Sequence, residues 1–232
     1  MMELAKYNSI AQFDGNSKLP YSIMDGNSNI FMPYVVNIFT DASIVTDKET
    51  SKSVCVIGCM ILYTNHYNTT FSYPVYYESC ATESITIAEA SAIIMGLRVA
   101  GIIINRDLLQ IGIVNIFSDS LDIVSKCKDR IHLQNATKQN SMIPIQNGIY
   151  EKRKKKNAVI NPILSIAAMY SVPVNIYHIK GHSERLSIKD LSQRFNKFNG
   201  IDISDMDIIN VSNYNQLVDN TISKISNSIL YS

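Results

Sequence analysis

Two aspartates sit in nearly the same surroundings, Asp41 in "IFTDAS" and Asp119 in "IFSDS". Each follows a short apolar run rich in β-branched and aromatic residues, which reads as a buried strand. If the two strands are neighbours in one sheet, both carboxylates emerge at the same edge, where open α/β sheets place their ligands. Side by side the two acids repel, and a hard divalent cation such as Mg²⁺ or Mn²⁺ relieves that repulsion. Two more acids are candidates: Glu89, set among small and apolar residues in "AEASAI", and Asp219 in "NQLVDNTIS". Each has a plainer reading alone. Asp119 could cap a helix beginning at Leu121, and Glu89 and Asp219 could be solvated helix residues. Asp47, Glu83 and Asp122 are decoys, Glu83 because it sits where a helix dipole welcomes an acid. His178 and His182 lie four apart, but one is within a strand and no cysteine pair is near, so zinc is not expected.

The elements that must position these acids follow from periodicity. Residues 1 to 33 are mostly polar, with Gly-Asn-Ser at 15 to 17 and 26 to 28, and read as an N-terminal extension. "YVVNIFT" (34 to 40), "SVCVIGCMILYT" (53 to 64) and "TTFSYPVYYES" (69 to 79) read as three strands, the last two at hairpin spacing. "SITIAEASAIIMGLRVAGIII" (84 to 104) switches to helical spacing, with Ser84 as its cap and Ala88, Ala92, Met95 and Val99 on one side. A fourth strand, "IGIVNIFSDS" (111 to 120), runs into a helix over 121 to 129. After a polar stretch ending in "EKRKKK" (151 to 156), "NPILSIAAMY" starts a helix with Asn161 as N-cap and Pro162 at its first position. "VPVNIYHIKGH" (172 to 182) is a fifth strand, Ser187 with Asp190 forms a capping box for a short helix over 188 to 198, and 213 to 230 make a terminal helix. This is a mixed α/β layer fold, read as one domain over 34 to 232 with insertions around 130 to 158 and 183 to 213.

Composition narrows the class. The 232 residues are 46% hydrophobic and 18% charged, enough for one substantial core. A formal charge of +1 leaves no basic shell, so any nucleic-acid contact must be local. The four cysteines form no dense disulfide pattern, and the start lacks a signal peptide's layout. No apolar run unbroken by glycine or charge reaches the roughly 18 residues needed to span a bilayer. The expectation is a soluble protein of a reducing, cytoplasmic compartment, or of the host cytoplasm if viral. The richness in Asn, Ile, Lys and Tyr fits an AT-rich genome such as a phage's.

The order of these features resembles ribonuclease H. The matching residues are "FTDAS" around Asp41, "AEASAIIMGL" around Glu89, "FSDS" around Asp119, "IKGH" at 179 to 182, and Asn215 four residues before Asp219, over residues 34 to 228. The resemblance implies a five-stranded mixed sheet in the order 3-2-1-4-5, flanked by helices. It also implies a catalytic set of Asp41, Glu89, Asp119, His182 and Asp219. In that set Asp41 would bridge two Mg²⁺ or Mn²⁺ ions about 4 Å apart, Glu89 and Asp119 would hold one and Asp219 the other, with His182 as proton shuttle or aid to product release. The implied activity is endonucleolytic hydrolysis of the RNA strand of an RNA/DNA hybrid. Expected nucleic-acid contacts are Ser43, Ser84, Lys152, Arg153, Lys154, Lys155, Lys156, Lys180 and Asn215. The run from Lys152 is read equally as a solvated face or as a substrate-gripping protrusion.

The pattern departs from the family in places. Positions that commonly carry hydrogen-bonding contacts to the hybrid hold Ile85, Thr86 and Leu121, and Ala42 stands where a glycine usually follows the first aspartate. Two other readings stay open: a structure-selective DNA nuclease resembling a junction resolvase, acting as a dimer, and a catalytically weak module that binds nucleic acid or protein. Retention of all four carboxylates argues against the last.

Overall fold

The computed structural model describes residues 11–13, 30–139, 158–181 and 186–231, with the backbone alone for 11–13 and 136–139. The run from Lys152 to Lys156, and His182, lie outside the described residues. In chain order the elements are β1 (Ala11–Phe13), β2 (Val35–Thr46), β3 (Ser53–Thr64), β4 (Thr70–Ser72), β5 (Val75–Ser79), α1 (Ile85–Arg106), β6 (Ile113–Ser118), α2 (Leu121–Gln139), α3 (Asn161–Met169), β7 (Val174–His178), α4 (Ile188–Asn199) and α5 (Asp205–Leu230). They build one sheet in the order β1-β5-β3-β2-β6-β7, with β4 on β3. β3 runs antiparallel to β2 and β5, whereas β6 runs parallel to β2 and β7. Setting aside the short β1 and β4, the five remaining strands have the 3-2-1-4-5 order that the resemblance implies. β1 falls within the span read as an N-terminal extension and pairs antiparallel with β5.

Two apolar layers sandwich the sheet. One contains Ile38, Ile61, Ile116 and the buried sides of α1, α2 and α3; the other contains Phe39, Phe117 and the buried sides of α4 and α5. Glycines set how closely the helices approach. A Cβ on Gly96 of α1 would overlap Ile38 and Thr40 of β2, and a Cβ on Gly58 of β3 would overlap Ile222 of α5. Gly58 pairs with Asp41 in the sheet, so α5 comes down onto the sheet beside an acid.

Register across the parallel strands is fixed by a row of amides. Asn37, Asn115 and Asn175 are aligned partners on β2, β6 and β7. Asn175 Nδ2 donates to Asn115 Oδ1 (3.1 Å), Asn115 Nδ2 to Asn37 Oδ1 (3.0 Å), and Asn37 Nδ2 to the Ile30 carbonyl (2.7 Å). A one-residue slip would send each amide to the opposite face and leave it unpaired in the core. Two residues on, Phe39 and Phe117 stack with centroids 4.8 Å apart. Two residues further come Asp41 and Asp119.

Several boundaries differ from the sequence reading. β2 does not stop at its acid: it continues to Thr46, because β3 keeps pairing with it to Thr46↔Ser53 after β6 has ended at Thr40↔Ser118. The third strand is broken at Tyr73 and Pro74, since proline has no N–H for the ladder. α2 runs ten residues past the expected 129. Ile131 is buried and Asn135 reaches β7, its Oδ1 accepting from Val174 N (3.1 Å) and its Nδ2 donating to Val174 O (2.8 Å), so polar residues here are anchors rather than loop. Ile160, not Asn161, caps α3; Pro162 still falls in the first turn, where its missing N–H costs nothing. Ser84 caps α1 by backbone position without a side-chain bond, whereas Ser187 Oγ accepts from Asp190 N as the capping box requires. α5 starts at Asp205 rather than 213, capped by Ser204.

α1 matches the helix read over 84 to 104 to within two residues at each end, but, against the expectation that no apolar run approaches a membrane-spanning length, its mean hydropathy reaches 1.9 over a window long enough to cross a membrane. It is the core helix of the sheet's first layer, with that window 61% buried, and its first turns carry Glu89.

The amide row makes a measurable demand on stability. Asn115→Ala should lower the unfolding free energy by on the order of 3 kcal/mol, because it strands Asn37 Oδ1 and the Asn175 amide. Urea unfolding of the variant checks this, and a loss within the noise of a surface substitution would remove the row as the register device.

Candidate metal centre

Asp41 sits where β2 leaves β6 but still pairs with β3, so its backbone is held on the β3 side alone. The same turn of structure is tied down locally: Ala42 N donates to Asp41 Oδ1 (2.8 Å), and Thr40 Oγ1 donates to the Phe117 carbonyl (3.3 Å). Asp119 follows the last residue of β6, and Glu89 lies in the second turn of α1, with its residue buried to 6% exposure. Ligand oxygens of Asp41, Glu89 and Asp119 all lie within 4.8 Å of one another. Asp219, from α5, joins them through a hydrogen bond between its carboxyl and that of Asp41. Ser223 Oγ, one turn on, donates to Asp219 Oδ1 (3.3 Å).

The four acids line one open cleft of about 370 Å³. Its α5 wall is polar, with Ser212, Asn215, Gln216 and Ser223, and its other wall is largely apolar, with Ala42, Ile44 and Ile85. Burial pushes the Glu89 carboxyl up to about 9, with the charges of Asp41 and Asp119 adding to it. Burial likewise raises Asp41 to about 8, with Asp119 the next contributor. Glu89 Oε2 and Asn215 Oδ1 are buried with no hydrogen-bond partner. Buried acceptors without a donor normally have an explanation, and oxygens converging from three elements suit a hard divalent cation.

Residues outside the acidic set hold it in place. His178 Nε2 bonds to the Asp119 carbonyl (3.1 Å); a carbonyl only accepts, so this nitrogen carries the proton. Burial lowers the pKa of His178, keeping the ring neutral. Asn199, at the end of α4, receives His178 N on its Oδ1 (2.8 Å) and donates Nδ2 to His178 O (2.8 Å), completing the edge of β7 as a strand would. Gly181 lies so close to Asp119 that an added Cβ would overlap the carboxylate. Sequence reading had noticed His178 only as a possible zinc ligand and had given Asn199 no role. Asn199 carries no motif, and its partner is 21 residues away in sequence.

The expected nucleic-acid contacts separate. Ser43 and Asn215 line the cleft. Ser84 is exposed at the cap of α1 and does not line the cleft. Lys180 faces a second crevice, between β7, α4 and α5.

The raised carboxyl pKa values give a signed pH dependence. Asp41 and Glu89 hold protons more tightly in the folded chain than in the unfolded one, where carboxyls titrate near 4. Their contribution to stability is full below about pH 4 and is lost as pH rises through about 8 to 9. The melting midpoint of metal-free protein should therefore fall between about pH 5 and pH 8, and both Mg²⁺ and Asp41→Asn should flatten that fall. A profile indifferent to the cation and to the substitution would contradict this electrostatic picture.

No family model matches the chain, and no curated protein matches it. Among the solved structures similar to it are the following three. The RNase H domain of PFV is 15% identical, with a TM-score of 0.43, over 73% of this chain and 94% of that one. The foamy viral protease-reverse transcriptase in complex with an RNA/DNA hybrid is 13% identical, with a TM-score of 0.43, over 82% of this chain and 22% of that one. LC9-RNase H1, a type 1 RNase H with the type 2 active-site motif, is 12% identical, with a TM-score of 0.43, over 76% and 81%. Likeness this loose transfers no activity. The strand order described above makes this a mixed α/β fold, with its five longer strands in the order that the resemblance to ribonuclease H implies.

Proposed function

We propose that the protein is a divalent-metal-dependent endonuclease acting on the RNA strand of RNA/DNA hybrids. The observation that carries this reading is the convergence of Asp41, Glu89 and Asp119 within 4.8 Å, the first two buried, with Glu89 Oε2 left without a hydrogen-bond partner. Two ions at such a site supply a Lewis-acid clamp on the scissile phosphate and lower the pKa of the attacking water. Asp41, hydrogen-bonded to Asp219 and close to Glu89 and Asp119, would be the ligand common to both ions. Glu89 and Asp119 would hold one ion and Asp219 the other. Gly181 and His178 keep Asp119 aimed into the cleft, the first by leaving room and the second by anchoring its carbonyl. Asn215 and Gln216 on the polar wall offer amides to the sugar and phosphate of the bound strand. His182, directly after Gly181, is assigned the proton-shuttle role that the family resemblance implies.

A second reading has one observation in its favour. Ile85, 50% exposed on the cleft rim, and Leu121, 44% exposed after β6, stand where the family commonly presents hydrogen-bonding groups to the hybrid. Apolar side chains cannot read a 2′-hydroxyl, so discrimination between RNA and DNA would be weak and a structured DNA substrate becomes a competitor.

The test presents an end-labelled strand as RNA/DNA hybrid, RNA duplex, DNA duplex and four-way DNA junction, with Mg²⁺, Mn²⁺ or EDTA. The proposal expects cleavage of the hybrid's RNA strand to 5′-phosphate and 3′-hydroxyl ends, abolished by EDTA and reduced roughly a thousand-fold or more by Asp41→Asn, as when a group that acts as part of a unit is lost. Cleavage of the junction alone would keep the site and change the substrate. Binding without any cleavage would sink the enzyme reading.

A further inference from the structure

α4 builds a second crevice beside the catalytic cleft. Its walls include His178 and Lys180 from the end of β7, Leu191, Arg194 and Phe198 from one face of α4, and Ser212 from α5. Ser212 also lines the cleft that holds the acids, and Gly181, the residue after Lys180, lines it too. The two depressions thus adjoin at Ser212.

Lys180 and Arg194 are both exposed, and neither has a carboxylate partner among the described residues. The nearby acids are turned elsewhere: Asp190 accepts from Ser187 Oγ (2.6 Å), Asp205 from Ser192 Oγ (3.2 Å) and Asp202 from Asn196 Nδ2 (3.3 Å). Phe198 is 44% exposed and rests edge-on against His178, with centroids 5.1 Å apart. Two cations without a carboxylate partner among the described residues, beside an exposed aromatic ring, form the combination that grips a nucleic-acid strand, cations on phosphates and the ring against a base or sugar. Such a grip answers a need of this site, because four carboxylates repel a polyanion and the chain's net charge of +1 supplies no general attraction.

We propose that this crevice carries the substrate strand where it leaves the cleft, with Lys180 and Arg194 on successive phosphates and Phe198 against a base or sugar. The proposal rests on the nuclease reading above, and it gives the 183 to 213 insertion a role in substrate binding.

The experiment measures binding by fluorescence anisotropy across a salt series. It uses Asp41→Asn protein, which blocks turnover, and a labelled RNA/DNA hybrid with a single-stranded RNA extension. Adding Lys180→Gln and Arg194→Gln should weaken binding about tenfold at low salt and flatten the slope of log affinity against log salt by about 1.5, as expected for two lost phosphate contacts. Adding Phe198→Ala instead should weaken binding while leaving the slope in place. The unfolding midpoint, measured on each variant, guards against misfolding. Unchanged affinity and slope in a folded double-glutamine variant would overturn the proposal, and if wild type still cleaves the hybrid the nuclease reading survives. If wild type cleaves nothing, that reading fails, and the same salt series still decides the crevice. Absence of any nucleic-acid binding would remove both.

Discussion

The parallel pairing of β2 with β6 in one register is the constraint on which the rest depends. Asn37 bonds Asn115, Phe39 stacks on Phe117, and the next residues on that face are Asp41 and Asp119. Because side chains alternate faces, two carboxylates four residues beyond paired asparagines must arrive together. The helices complete the set from opposite layers, α1 bringing Glu89 across Gly96 and α5 bringing Asp219 across Gly58. A larger residue at either glycine would lift a helix and with it one wall of the site.

Placing four acids this way works against stability. Burial first, and then the charges of neighbouring acids, raise Glu89 and Asp41 far above the usual carboxylate range. The fold tolerates the arrangement because the backbone around it is over-determined: Asn199 and Asn135 each close two backbone groups at the edge of β7, and His178 ties that strand to Asp119. The strain of the acids and the rigidity of their supports are two sides of one design, a site whose electrostatics are poised for a cation.

Much of this was legible in the sequence, for a physical reason. Buried strands with a two-residue period and a long apolar helix leave clear signatures, so the five core strands, α1 and the candidate acids could be read directly. What escaped depends on partners distant in sequence. The continuation of β2 past Asp41 is decided by β3, and the length of α2 by the reach of Asn135 to β7. Asn199 and Gly181 carry no motif because one substitutes for a strand and the other only makes room. Lys180 shares a crevice with Leu191, Arg194 and Phe198 of α4, a neighbourhood that no local pattern announces.

The central claim is that the converging acids are held together by a divalent cation. The most direct measurement is a titration of Mn²⁺ into metal-free protein, followed by the loss of the free ion's paramagnetic resonance, for wild type and for Glu89→Gln. The account predicts saturable binding by wild type, competed by Mg²⁺ and weakened severely when Glu89 loses its charge. Mn²⁺ binding of equal strength in the variant, or none in wild type, would contradict it.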